Sequence, residues 1–168
     1  MRTIAKVAMV TTLVSLGTSL GQGTEAASLK TGTAVLLART TKGVEVKATV
    51  RTGQYSKALP FSYSLTWWGA PEKGQPRTVI VALDIQIGPE QVPIPVSAIV
   101  GLANPTDVLL RRGEGDIEIV IKGGDAATSY DAVLVFKDGY LRRRRVVLAE
   151  FPKESWEETN YSYNLSER

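Results

Sequence analysis

The chain has 168 residues, of which 43% are hydrophobic and 22% are charged, and this composition is typical of a globular domain. It contains no cysteine and no histidine, which excludes disulfide bridges, a Ser-His-Asp triad, a cysteine nucleophile and the usual zinc sites. The net charge of +3 is too small to indicate a nucleic-acid or membrane-surface ligand.

The first 26 residues have the three-part layout of a secretory signal peptide. Arg2 and Lys6 give a basic start, residues 7–20 are largely apolar, and small residues follow around 21–28. The apolar stretch is shorter than the roughly 20 residues that a membrane anchor needs. We therefore expect a helical signal over 1–26 and cleavage after Ala26, with cleavage after Gly23 and an uncleaved anchor as alternatives. The remaining domain, 27–168, would be exported to the periplasm or the extracellular space.

The first half of this domain predicts one β-strand after another. Residues 33–39 and 44–51 flank a turn at 40–43, and the alternation of apolar and polar residues over 44–51 predicts a half-buried strand. Residues 60–69 alternate in the same way. Residues 78–87 have apolar side chains on both faces, which predicts a central strand with Asp84 partly buried in it.

The second half predicts at most one short helix, near 105–112. Asn104 could cap it, Pro105 suits a first helical position and Gly113 suits the end, although a strand fits 108–112 equally well. Residues 117–122 predict a strand, and 130–137 and 140–148 predict a hairpin closed by Asp138 and Gly139, a favoured two-residue turn. From about residue 151 the chain becomes an acidic and aromatic tail.

Seven or eight short strands with turns between them predict an all-β domain. The architecture that we expect is a single antiparallel β-sandwich, with a small β-barrel as the alternative.

Four consecutive arginines, residues 142–145, stand out within the second predicted hairpin strand. If the hairpin pairs without interruption, Val135 faces Arg142, Leu134 faces Arg143, and Arg142 and Arg144 share one face. A strand between two covered faces could not bury four guanidinium groups, so we predict either an edge strand or a strand that extends past the body of the domain. Arg142 and Arg144 are then candidate contacts for an anionic ligand, and a solubilising edge is the simpler interpretation.

Two adjacent tryptophans, Trp67 and Trp68, end the predicted strand at 60–69. Adjacent strand residues face opposite ways, so one ring is expected in the core and the other outside. An exposed tryptophan is a natural platform for a sugar ring or an anchor for a protein partner.

Loop carboxylates offer the other candidate sites. Asp116, Asp125 and Asp131 lie in or near glycine-rich turns and could supply oxygens to calcium, although turn formation explains them equally well. A hydrolase would need two carboxylates about 5–9 Å apart, and Asp84 alone supplies no such pair.

These observations together predict an exported, non-catalytic domain that binds or scaffolds a cell-envelope polysaccharide or protein. The sequence indicates no catalytic residue, metal or cofactor, no nucleic-acid partner and no membrane span after removal of the signal. Trp67, Trp68, Arg142 and Arg144 are its candidate binding residues. A carboxylate-based hydrolase or a calcium-dependent binding module is the alternative.

Overall fold

A computed structural model describes residues 24–29, 32–59, 67–71, 74–113 and 116–163. These residues form two antiparallel sheets that are not closed into a barrel, which confirms the predicted β-sandwich and makes the barrel alternative wrong. Short 3₁₀ turns at Val96–Ala98 and Ala126–Thr128 are the helical segments of the described residues. The strands are β1 (Glu25–Ser28), β2 (Thr33–Arg39), β3 (Glu45–Gln54), β4 (Thr78–Ile87), β5 (Glu90–Gln91), β6 (Pro105–Arg111), β7 (Ile117–Gly123), β8 (Tyr130–Lys137), β9 (Tyr140–Leu148) and β10 (Glu157–Asn160).

The two sheets have the strand orders β1-β6-β7-β8-β9-β10 and β2-β3-β4-β5. The chain begins at one edge of the larger sheet, crosses to the smaller sheet after β1, and returns at β6. The Glu25 carboxylate of β1 accepts a hydrogen bond from the backbone N–H of Leu37 in β2, so a side chain joins the two sheets at this corner.

Alternate side chains of each strand point inward and form the core between the sheets. Leu36, Ala48 and Ile85 face inward from the smaller sheet, and Ile119 and Leu134 face them from the larger one. All five are fully buried. Burial of each large aliphatic side chain contributes roughly 1.5–3 kcal/mol, so this layer supplies the main stabilisation of a chain without disulfides.

Of the two alternatives for residues 105–112, the strand is confirmed and the short helix is wrong, because Pro105–Arg111 forms strand β6. Val108 and Leu110 face the core while β1 and β7 pair with the strand on either side. Asn104 has a positive φ of 48°, which turns the chain before Pro105 instead of starting a helix. Tertiary pairing and burial of alternate residues therefore override a local capping pattern.

The predicted hairpin turn is confirmed, since Asp138 and Gly139 both have positive φ and Lys137 pairs with Tyr140. The register beyond the turn is wrong by one residue. A β-bulge places Val135 opposite Arg143 and Phe136 opposite Leu141.

The edge position predicted for the arginine strand is also wrong. Strand β10 pairs with β9, so β9 lies between β8 and β10. The acidic tail is thus in part a strand that covers the arginine run.

Two of the elements predicted from the sequence fall wholly or partly on residues that the structure does not describe. The proposed signal lies almost entirely in residues 1–23, and its predicted boundary at Ala26 falls within β1. Residues 60–66 of the strand expected over 60–69 are also outside, and residues 67–70 form a loop with one bridge, between Trp68 and Leu102. Among the described residues, no helix is long and apolar enough to span a membrane.

Candidate functional site

A cleft of about 580 Å³ opens at one end of the sandwich, where six strand ends and the loop at 67–71 meet. The ends of β1, β3 and β7 and the starts of β2, β4 and β6 converge there because consecutive antiparallel strands reverse at this end. The side chains and backbone of both sheets line it. Polar lining residues are Thr52, Gln54, Arg77, Asn104, Thr106 and Asp125.

Asn104 holds three of these segments together. Its side-chain Oδ1 accepts hydrogen bonds from the backbone N–H groups of Arg77 (2.9 Å) and Thr78 (3.3 Å), and its Nδ2 donates to the carbonyl oxygen of Gly69 (2.8 Å). Its own carbonyl accepts from the N–H of Gly124 at 3.1 Å. The side chain of Asn104 thereby fixes the start of β4 against the loop at 67–71, and its backbone carbonyl holds the end of β7.

The wall behind Asn104 is packed too tightly for side chains. A Cβ on Gly69 would lie 2.6 Å from Cε1 of Tyr130 and 2.8 Å from the backbone nitrogen of Gly124. Tyr130 itself is buried, and its hydroxyl has no hydrogen-bond partner among the described residues. Burial raises the pKa of the Tyr130 hydroxyl well above its usual range, because the phenolate would lose its hydration.

On the wall of the cleft formed by β3 and β4, the side chains of Arg77 and Gln54 have N–H groups that are free to donate. Gln54 pairs with Thr78, and the backbone N–H of Tyr55 donates to the carbonyl of Arg77 at 2.9 Å, so Arg77 lies across the ladder from Tyr55, next to the Gln54–Thr78 pair. The Arg77 side chain is exposed and makes no hydrogen bond or ion pair with any described residue. Its guanidinium is therefore available to a ligand.

An aromatic pair stands beside this wall. Trp67 packs edge-on against Tyr55, with ring centroids 5.5 Å apart and ring planes at 80°. Tyr55 follows the cleft residue Gln54 directly, and Pro71, at the end of the Trp67 loop, lines the cleft. Trp67 is half-buried, so part of its surface remains accessible beside this wall.

Trp68 and Arg144 meet through Glu157 in the interior. The indole Nε1 of Trp68 donates to Glu157 Oε2 at 2.7 Å, while Arg144 forms an ion pair with Glu157 Oε1. Arg144 also donates to the carbonyl oxygens of Ser97 (3.2 Å) and Val100 (3.0 Å) and is 4% exposed. The guanidinium is thus committed to the protein, and Trp68 anchors the loop at 67–71 from the side opposite Asn104.

Arg142 lies beside aromatic rings, and its expected position on the same face as Arg144 stays a prediction. Its guanidinium carbon lies 5.3 Å from the ring centroid of Tyr140, whose ring centroid is 5.0 Å from that of Tyr163. The bulge makes Arg142 the extra residue between two paired positions, so strict alternation does not fix the face of its side chain. Direct ligand contact by these arginines and by the two tryptophans stays a prediction.

The loop carboxylates do not converge. Asp116 accepts a hydrogen bond from the backbone of Asp138 (2.9 Å), and Asp131 pairs with Lys122 (3.1 Å), while Asp125 lies at the opposite end of β7 from Asp116. Within the described ranges, no group of three or more carboxylates could hold a metal ion.

The burial predicted for Asp84 is wrong. Its side chain is 54% exposed and pairs with Arg51 at 3.3 Å on the outer face of the smaller sheet. Asp84 lies on the outward-facing side of β4, where exposed residues alternate with buried ones. The apolar residues on both sides of Asp84 in the sequence made this alternation hard to recognise.

Sequence reasoning missed Arg77 and Asn104 as cleft residues. Arg77 sits in a proline- and glycine-rich stretch that resembles any loop, and Asn104 had been interpreted as a helix cap. The available sequence signal was the dipeptide Asn104-Pro105, since asparagine before proline favours a turn and asparagine tolerates the positive φ that the structure shows.

Comparisons with protein-family models, characterised proteins and solved structures find no match to this chain. The site must therefore be interpreted from its own geometry.

Proposed function

We propose that this chain is an exported, non-catalytic binding module that holds a cell-envelope saccharide in the cleft at the end of the sandwich. The observation that supports it is the polar cleft between the two sheets, with the aromatic pair Tyr55 and Trp67 beside its Arg77 wall.

The chemistry of the cleft suits sugars. A pyranose offers hydroxyl groups that both donate and accept, and the cleft presents an exposed guanidinium, two amides and several threonines. The aromatic pair presents a surface on which the apolar face of a sugar ring can stack. The volume of about 580 Å³ lies within the roughly 300–1,000 Å³ usual for small-ligand sites, enough for a few sugar units.

Binding can be tested by isothermal titration calorimetry with a panel of defined neutral and acidic oligosaccharides. Trp67→Ala should weaken the best-bound sugar about tenfold, which corresponds to loss of about 1.4 kcal/mol of stacking. Arg51→Ala is the matched control, because Arg51 lies on the outer face of the smaller sheet and pairs only with exposed Asp84. Absence of binding across the panel, or equal binding by Trp67→Ala, would contradict the proposal.

A protein ligand is the second candidate, and the connection between β9 and β10 favours it. Phe151 is 50% and Trp156 is 56% exposed. Backbone hydrogen bonds to Leu148 and Val146 hold both residues in place, so the rings are presented without a large ordering cost. A Phe151→Ser, Trp156→Ser variant should lose protein crosslinks on the cell envelope while keeping sugar binding, if this surface docks a partner.

A further inference from the structure

We propose that the saccharide carries an anionic group, a carboxylate or a phosphate, and that Arg77 recognises it. This inference rests on the proposed function and names the chemical class of its ligand.

Arg77 combines a fixed backbone with an unused side chain. Its N–H donates to Asn104 Oδ1 at 2.9 Å and its carbonyl accepts from Tyr55 at 2.9 Å, so its position at the cleft wall is set from both sides. Its guanidinium has no partner among the described residues, whereas the guanidinium groups of Arg51 and Arg111 each pair with a carboxylate. The positive charge of Arg77 at the cleft is therefore not balanced by an ion pair with any described residue.

The opposite wall of the cleft has the opposite charge. Asp125 lines it and caps the short turn at Ala126–Thr128, where its Oδ1 accepts from Thr128 Oγ1 at 3.3 Å. An anionic group bound near Asp125 would be repelled. The charge distribution therefore directs the anion of a ligand to the β3–β4 wall, where Arg77 lies across the ladder from Tyr55.

The shape of the guanidinium further limits which anionic groups the ligand can carry. Its planar fork of N–H donors matches the two oxygens of a carboxylate or a phosphate, and such charge-assisted pairs are stronger than neutral hydrogen bonds. The aromatic pair beside the Arg77 wall can hold the sugar ring that bears the anion. A uronic acid and a sugar phosphate both meet this description.

The test uses the exported chain and four probes: a uronic-acid trisaccharide, its neutral methyl ester, a phosphorylated trisaccharide and its unphosphorylated parent. Calorimetry at low salt should show at least one acidic probe binding tenfold or more tightly than its neutral form. The acidic probe that binds identifies the source of the anion. The preference should shrink at high salt, because the contact is charged and partly exposed.

Arg77→Gln should remove that preference, and Arg77→Lys should restore only part of it because lysine lacks the fork. Both variants keep the backbone contacts of residue 77, so they are expected to fold, which circular dichroism checks. Arg51→Gln is the control and should leave the preference intact.

The possible failures are distinguishable. Equal binding of acidic and neutral probes would overturn the anion inference and leave the saccharide proposal standing. An acidic preference that survives Arg77→Gln would overturn the assignment to Arg77. No binding by any probe would overturn both proposals.

Discussion

At the scale of single residues, one arginine of four acts differently from its neighbours. Arg144 is buried, and its charge is balanced by Glu157 and by two backbone carbonyls. Glu157 in turn accepts from Trp68, so a single carboxylate links strand β10 to the loop at the rim of the cleft. We infer that Arg144 and Trp68 position this loop.

We predict that Arg144→Ala strongly destabilises the fold. The substitution leaves a partly buried Glu157 carboxylate and two carbonyls without their donor, and breaking a buried pair in this way costs on the order of 3 kcal/mol. Urea unfolding measures the loss. Arg51→Ala is the control, since its exposed pair with Asp84 should contribute less than about 1 kcal/mol. Similar losses of unfolding free energy in the two variants would show that the Arg144–Glu157 pair contributes no more to stability than the exposed Arg51–Asp84 pair.

A second residue-scale prediction compares two glycines with nearly the same backbone conformation. Gly69 has a φ of 81° and Gly43 a φ of 80°, so alanine is strained at both, by about 1 kcal/mol. A Cβ on Gly43 meets nothing within 4 Å, whereas one on Gly69 meets Tyr130 and two backbone segments. Gly69→Ala should therefore lower the thermal midpoint clearly more than Gly43→Ala. Equal midpoints would mean that the wall of the cleft can relax.

At the scale of elements, the sequence predicted the strands that show clear alternation and missed the features that depend on neighbours. Strands β2, β3, β4 and the hairpin of β8 and β9 lie where periodicity placed them. The helix near 105–112 failed because β1 and β7 pair with that segment. The edge position of β9 failed because four residues of the acidic tail form a strand, and a short exposed strand has too few residues to show a period.

Strand β1 favours one of the two candidate cleavage sites of the proposed signal. Cutting after Ala26 would divide Glu25–Ser28 and remove the Glu25 carboxylate that contacts Leu37, whereas cutting after Gly23 leaves the strand whole. We predict that the exported protein begins at Thr24. N-terminal sequencing of protein recovered outside the cytoplasm checks this. A start at Ala27 would imply that β1 is dispensable, and a start at Met1 would contradict the signal itself.

At the scale of the whole molecule, the cleft could not be predicted from local sequence. Its walls come from residues as distant as Leu29 and Asp125, brought together because both sheets place strand ends at the same end of the sandwich. Periodicity indicates which residues face inward, but it contains no information on which loops meet. Of the residues that the sequence offered as ligand contacts, Asp125 lines the cleft and Trp67 lies beside it, but the cleft itself was not anticipated.

The stability of the whole fold should fall in alkali because of Tyr130. Burial raises the pKa of its hydroxyl in the folded state, whereas in the unfolded chain it titrates near about 10. Above that pH the unfolded state loses a proton that the folded state retains, so the free energy of unfolding decreases as pH rises. The contribution is fully present below pH 10 and should decline by about 1.4 kcal/mol per pH unit above it.

Tyr130→Phe isolates this effect, because phenylalanine keeps the ring and removes the group that ionises. At pH 7 the variant should be at least as stable as the parent, since the buried hydroxyl has no partner among the described residues. At pH 11 it should be the more stable protein in urea unfolding. Burial also raises the pKa of Tyr163, but that tyrosine is present in both proteins, so its effect cancels in the comparison. Parallel pH curves for the two proteins would mean that water reaches the Tyr130 hydroxyl in the folded state.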